Sequence, residues 1–211
     1  MIYLFDFDGT LVDSMPTYVS VMLSILDGEG IEYGDDIVKI ITPLGFAGTA
    51  EYFSGLGVKL SVEEMMARMR EGAVREYTYS IKPKANVVET LTRLKARGDR
   101  LNVLTASPHD TLDPCLKRIG IYGLFDNVWS CDDFGTTKAD VSIYTQAARR
   151  IGAPVEDIIF LDDNYNADLT AARAGMRVWG VYDDSSKEYC EDMKNICERY
   201  IYDFAEILET E

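Results

Sequence analysis

Histidine is almost missing from this chain: His109 is the only one in 211 residues. That leaves almost no room for a histidine-based nucleophile relay and none for a multi-histidine metal site. Cysteine is sparse and unpatterned. Cys115, Cys131, Cys190 and Cys197 form no CxxC pair, so reduced, partly buried thiols are expected rather than a zinc site or a disulfide framework. No apolar run approaches the ~20 residues that a membrane-spanning helix requires. Basic charge is also short, with 21 Lys and Arg against 36 Asp and Glu and a net charge of −15. A deficit of that size argues against nucleic acid and anionic membranes as partners, because both are held by basic patches. It leaves phosphate-bearing small molecules open, provided a bound cation inverts the local field. With Asp6 so near the first residue, no signal or transit segment is expected, and the expectation is a cytoplasmic monomer. Chemistry must therefore come from carboxylates, hydroxyls, lysines and the backbone.

What is present is a repeated alternation. Residues Ile2 to Phe5 are apolar and read as a buried parallel strand. "RLNVLTAS", "NVWSCDD", "DIIFLDDN" and "RVWGVYDD" read as further strands, with "RYIYD" near Tyr200 as a possible sixth. Between them lie the helical patterns "NVVETLTRLKARG", "TLDPCLKRIG", "ADVSIYTQAARRIG" and "NADLTAARAG", which run up to helix-ending glycines. Strands alternating with helices of this length predict an α/β fold, a Rossmann-like, doubly wound, mostly parallel sheet.

Residues 15–82 break the alternation and read as an inserted all-α unit, leaving residues 1–14 and 83–211 for the α/β core. Ser61 before Glu63 and Glu64, with Met65, Met66, Met69 and Val74 following, predicts a capped amphipathic helix whose methionines pack a core. Near the C-terminus, "EYCEDMKNICERY" places Cys190, Met193, Ile196, Cys197 and Tyr200 on one helical face, ahead of a short "FAEIL" helix.

In open α/β sheets, ligands bind beyond the carboxyl ends of the strands. Here those ends carry Asp6 and Asp8, then Thr105, Ala106 and Ser107, then Asp162 and Asp163, with Lys138 in "GTTKAD" ahead of the helix that leads to "DIIFLDDN". Several carboxylates on one rim repel strongly, and a hard divalent cation such as Mg²⁺ relieves that repulsion. Ser107-Pro108 reads as an N-cap followed by a first-turn proline, with the amides of Thr105, Ala106 and Ser107 facing an anion. Gly9 allows close backbone approach, and Lys138 adds a mobile positive charge. The set predicts phosphoryl transfer to a carboxylate nucleophile. Asp168 reads as a helix N-terminal charge, His109 as an exposed polar residue, Asp13-Ser14 as a hinge, and Tyr18 as either a core or a substrate-facing residue.

These segments resemble the haloacid dehalogenase-like superfamily. "DFDGTLVDS" is similar to its first motif, "VLTAS" to its second, Lys138 to its third and "FLDDN" to its fourth, and the helical insert resembles a type-one cap. The resemblance spans the whole chain and is nearest to the phosphoglycolate phosphatase-like members. It implies that Asp6 is the nucleophile, passing through an aspartyl-phosphate. Asp8 would be the general acid and then the general base, its backbone carbonyl touching the metal. The Thr105 side chain and the Ala106 amide would bind the phosphoryl group, and Lys138 would bridge it to Asp6. Asp163 would complete the Mg²⁺ site, with Asp162 assisting directly or through water. The cap would close over a small-molecule substrate.

Asp8 favours phosphoryl transfer over dehalogenation, because carbon–halogen-cleaving relatives lack a carboxylate there. Sugar-phosphate mutases of the superfamily carry a histidine where this chain has Tyr18 and an arginine shortly after the cap glycine, where this chain reads "LGFAG". Both departures favour a phosphatase, with a phosphoglycolate-like molecule or a sugar phosphate as substrate. The mutase is the first alternative. A receiver-like phosphoaspartate switch is more remote, since a receiver has no counterpart to the helical insert.

Overall fold

In a computed structural model, which describes residues 1–209, the chain forms two compact units. One comprises Met1–Asp13 and the chain from Lys82 onward; the other is Ser14–Ile81. Ser14 thus falls with the helical unit and Lys82 with the sheet unit. The reason is local: the Asp13 amide donates to the Lys82 carbonyl (3.0 Å), and Val12 bridges Pro83 in antiparallel sense. The two linkers therefore form a short ribbon that belongs to the sheet unit.

The sheet unit contains β1 (Ile2–Phe5), β2 (Arg100–Thr105), β3 (Asn127–Ser130), β4 (Ile158–Asp162), β5 (Arg177–Val181) and β6 (Arg199–Ile201), all parallel, in the spatial order β3-β2-β1-β4-β5-β6. Three of these strands stop earlier than their apolar sequence suggests. "NVWSCDD" leaves the sheet at Ser130, where a 3₁₀ turn over Cys131–Phe134 begins, while β4 ends at Asp162 and β5 at Val181. Leu4 and Phe5 of β1 are fully buried, as are Ile158 to Leu161 of β4. Such two-sided burial is what continuous apolar strands require.

The helical unit holds α1 (Met15–Glu29), α2 (Ile37–Ile41), α3 (Gly45–Gly55) and α4 (Val62–Tyr79). The start of α4 is a capping box: the Ser61 hydroxyl accepts from the Glu64 amide (3.1 Å), and Glu64 Oε2 accepts from the Ser61 amide (2.9 Å). Its buried stripe is Met65, Met69, Ala73 and Tyr77, spaced four apart, and the two methionines pack with Met22, Leu26 and Phe53. Val74 lies beside the stripe rather than within it. Tyr18 stacks on Phe46 with ring centroids 4.8 Å apart, and both pack against this core.

The sheet unit continues with α5 (Val87–Ala96), α6 (His109–Arg118), α7 (Val141–Ile151), α8 (Tyr165–Ala174) and α9 (Cys190–Ile196). The C-terminal helical face proves shorter than its periodicity predicts. Only Cys190–Ile196 is α-helical, Met193 alone of it is buried, and Tyr200 sits in β6 paired with Gly180. Pairing with β5 overrides the local helical pattern there. The "FAEIL" segment forms a 3₁₀ helix rather than an α-helix. All four cysteines are free, and among the described residues no helix is long and apolar enough to cross a membrane.

Candidate active site

The strand order reverses between β1 and β4, the switch point where doubly wound sheets open a crevice. Asp6 follows β1 directly, and Asp162 and Asp163 stand at the end of β4. The Asp6 amide donates to the Leu161 carbonyl (2.8 Å), so the two acidic ends are locked side by side. Asp6, Asp162 and Asp163 are all buried, and each offers one carboxylate oxygen within 4.8 Å of the others.

Burying three carboxylates together is costly without a counter-charge. Lys138 supplies one. Its ammonium donates to Asp6 Oδ1 and to Asp162 Oδ2, the latter at 2.7 Å. Burial alone would lower Lys138; the charges of Asp162 and Asp6 outweigh it and hold the amine well above its ordinary value. The lysine is fixed from behind, where the Tyr144 hydroxyl lies 3.1 Å from both the Lys138 and the Ala167 carbonyls and can donate its one proton to either. One monovalent charge is insufficient for the trio. Burial, opposed by Lys138 and reinforced by Asp162 and Asp8, pushes Asp6 up to about 7. Burial and the charges of Asp162, Asp6 and Asp183 push Asp163 well above the ordinary carboxylate range. A cluster of hard oxygen donors so short of positive charge fits a small divalent cation.

Two further contacts shape the rim. The Thr10 hydroxyl donates to Asp163 Oδ1 (3.0 Å). Gly9, at φ +74°, lies against the same carboxylate: a Cβ there would stand 2.5 Å from Asp163 Oδ2. Only glycine meets both demands. Asp8 leans outward and is partly exposed, and its Oδ2 accepts from the Ser107 hydroxyl.

Ser107 does not cap α6, contrary to what the Ser-Pro pair predicts. Pro108, not Ser107, is the N-cap of α6, and the Ser107 side chain makes no cap. Its hydroxyl is committed to Asp8, while its amide donates to Thr105 Oγ1 (3.1 Å). Thr105 is buried at the end of β2, with Ala106 exposed just beyond it. All residues proposed for chemistry therefore lie at the carboxyl ends of β1, β2 and β4 or, for Lys138, in the segment leading to α7. The side chains of Asp6, Asp162, Asp163 and Lys138 form one hydrogen-bonded or closely spaced group. Asp8 is tied to Ser107 instead and is not among the three clustered carboxylates.

Asp168 also departs from expectation. It does stand in the first turn of α8, yet it is fully buried, with Oδ2 accepting from Cys197 Sγ (3.4 Å). Burial, with the charges of Asp162 and Asp163, pushes its carboxyl well above the usual range. His109 does sit exposed, bridging Asp113 and Asp133 at 2.8 Å each. Sequence reasoning passed over the Thr10 hydroxyl and Lys84. Thr10 stood inside a motif and was readable; Lys84, in the linker "IKPKAN", carried no signal.

Residues 1–175 match the model of the haloacid dehalogenase-like hydrolase family. The chain is 31% identical over 180 residues to pyrophosphatase PpaX of Bacillus velezensis, a match covering 84% of this chain and 81% of that protein. It is 26% identical to a phosphorylated carbohydrates phosphatase of Thermotoga maritima, over 84% of this chain and 83% of the relative. Its fold superposes on CbbY of Rhodobacter sphaeroides, solved in complex with phosphate, with a TM-score of 0.78 at 20% identity, covering 98% and 95% of the two chains. A parallel sheet whose switch point gathers acidic strand ends around one lysine, and a family match over most of its length, lead to one conclusion: this chain belongs to the haloacid dehalogenase-like hydrolases, and it is an enzyme of their phosphatase branch.

Proposed function

We propose that this phosphatase hydrolyses the phosphomonoester of a small metabolite, a phosphoglycolate-like molecule or a sugar phosphate, with Mg²⁺ and through an aspartyl-phosphate on Asp6. The observation that carries the reading is the Lys138 ammonium shared between Asp6 and Asp162, with Asp163 close beside them. The name of one relative, a phosphorylated carbohydrates phosphatase, supports the substrate class, whereas that of the pyrophosphatase supports phosphoryl transfer to water from an anhydride.

Asp6, Asp162 and Asp163, with the backbone carbonyl of Asp8, would hold the cation. When bound, Mg²⁺ supplies a fixed double positive charge that offsets the carboxylates and the phosphoryl oxygens. In the first half-reaction a carboxylate oxygen of Asp6 attacks phosphorus as the bond to the leaving oxygen breaks. Asp8, in its acid form, gives that oxygen its proton. In the second, Asp8 takes a proton from water, the water oxygen attacks phosphorus, and the bond to Asp6 breaks to release phosphate. Thr105, the Ala106 amide and Lys138 hold the phosphoryl oxygens, with Gly9 leaving the backbone close to the ligand, while the Ser107 amide supports them from behind by donating to Thr105 Oγ1. Lys138 orients the Asp6 oxygen it already touches. The partners are small molecules, and the working unit is a monomer.

Replacing Asp6 tests this directly. Asp6→Asn keeps the shape and removes the nucleophile, so Mg²⁺-dependent release of phosphate from a panel of phosphorylated metabolites should disappear while the folded signal persists. Hydrolysis near the parent rate by that variant would remove Asp6 from the mechanism. The panel names the substrate.

A further inference from the structure

Lys84 lies on the linker ribbon, next to Pro83, with its side chain mostly buried (19% exposed). Its ammonium is fully used: it donates to the Gly9 carbonyl (2.6 Å), the Tyr182 carbonyl (2.5 Å) and Asp183 Oδ2 (3.0 Å). Three donors meet three oxygens, the whole capacity of a lysine head group. A compact ammonium on a flexible stem, with three rotatable donors, suits oxygens that converge from two separate segments.

The Gly9 carbonyl matters because of what the same peptide unit touches. Thr10, on the other side of that peptide, donates its hydroxyl to Asp163. The Gly9 α-carbon abuts the same carboxylate so closely that no side chain fits. Holding the carbonyl therefore holds both the wall and the donor that orient Asp163. On its other side, the Gly9 amide donates to the Val12 carbonyl (3.0 Å), which closes the turn but leaves the carbonyl to Lys84. Lys84 also pairs with Asp183, whose negative charge acts on Asp163.

We infer that Lys84 is a positioning residue for the cation: through the Gly9–Thr10 peptide and through Asp183 it sets the orientation and electrostatic surroundings of the Asp163 carboxylate. The inference rests on the cation-dependent reading above. Groups bonded directly to a metal ligand act on metal affinity by about 10- to 100-fold when removed, and Lys84, one contact further back, belongs at the lower end of that range.

The test is Mn²⁺ binding to the full chain without substrate, read from the loss of the free-ion paramagnetic resonance signal, for the parent and for Lys84→Met. The Kd of the variant should rise by about tenfold or more. In turnover of p-nitrophenyl phosphate the deficit should appear as a raised Mg²⁺ requirement, largely recovered at high Mg²⁺. Should Lys84→Met fold poorly because Asp183 loses its partner, Lys84→Met combined with Asp183→Asn removes the buried pair together and should show the same shift. A folded variant with unchanged Mn²⁺ affinity overturns the inference and leaves the phosphatase reading standing. So does a deficit that is equal at every Mg²⁺ concentration, the mark of a scaffold role alone. A parent protein that binds no Mn²⁺ overturns the cation reading itself, and the inference with it.

Discussion

The Ser107 hydroxyl donates to Oδ2 of Asp8, joining the ends of two adjacent parallel strands across 99 residues of sequence. Two groups with separate expected tasks, proton transfer and phosphate binding, are thereby linked. The serine fixes a partly exposed carboxylate whose charge still acts on Asp6.

Removing that hydroxyl should therefore affect catalysis more than folding. Ser107 is only partly buried, so Ser107→Ala leaves no sealed polar void. Proton transfer by a positioned side chain is worth about 10²–10⁴-fold, and Asp8 without the Ser107 hydroxyl loses part of that positioning, so kcat should fall roughly tenfold or more. Steady-state kinetics beside a melting curve separate the two effects. A variant that loses stability but not kcat would assign Ser107 to structure.

Gly9 offers a sharper steric test. In Gly9→Ala, the new Cβ would collide with the Asp163 carboxylate while the backbone stays at φ +74°. A strained conformation of this kind costs about 1–3 kcal/mol before the collision is counted. We expect a lower melting temperature and weakened cation binding together, measured by thermal unfolding and by Mn²⁺ titration. Normal affinity in the variant would mean that the loop yields without disturbing Asp163.

The single histidine makes stability pH-dependent. Hydrogen bonds to Asp113 and Asp133 raise His109 above its ordinary 6.5, against a smaller opposing effect of burial. Because the folded value lies above the unfolded one, the stabilisation is fully present below the ordinary histidine value. It is lost as pH rises through the raised value. Melting temperatures of the parent and His109→Gln should therefore differ most on the acidic side of neutrality and converge at alkaline pH. A gap that widens with pH would contradict the bridge.

The helical unit has its own weak point in Met69, which is fully buried on the stripe of α4. Truncation of a buried methionine to alanine costs about 2–5 kcal/mol, part of it for the cavity left behind. Chemical denaturation of Met69→Ala should report a loss in that range, whereas truncating the exposed Arg70 should change stability by less than about 0.5 kcal/mol.

Legibility followed the kind of interaction involved. Apolar runs ending in carboxylates announced the strands and the acidic rim, because burial and period are written locally. The Ser61 cap and the Met65–Met69 stripe were readable for the same reason. Ser107 was misread because a serine before a proline looks the same whether its hydroxyl caps a helix or reaches a neighbouring strand. Tyr200 kept the helical period of "EYCEDMKNICERY" but found a strand partner in Gly180. Asp168 looked like an ordinary first-turn charge, and only packing against Cys197 and the sheet buried it. Nothing in "IKPKAN" separates Lys84 from a solvated lysine, since its three acceptors are contributed by residues 9, 182 and 183.

The order of strands and helices, the helical insert, and the placing of acidic and hydroxyl residues at strand ends were determined by the sequence itself. Each depends on chain-local periodicity, caps and turns. Tertiary structure alone decided that β1 lies beside β4, that one lysine serves both Asp6 and Asp162, and that a linker ammonium grips the loop against Asp163. Those outcomes depend on distances through space between charges, and Coulomb energy in a buried site is governed by ångströms rather than by separation along the chain.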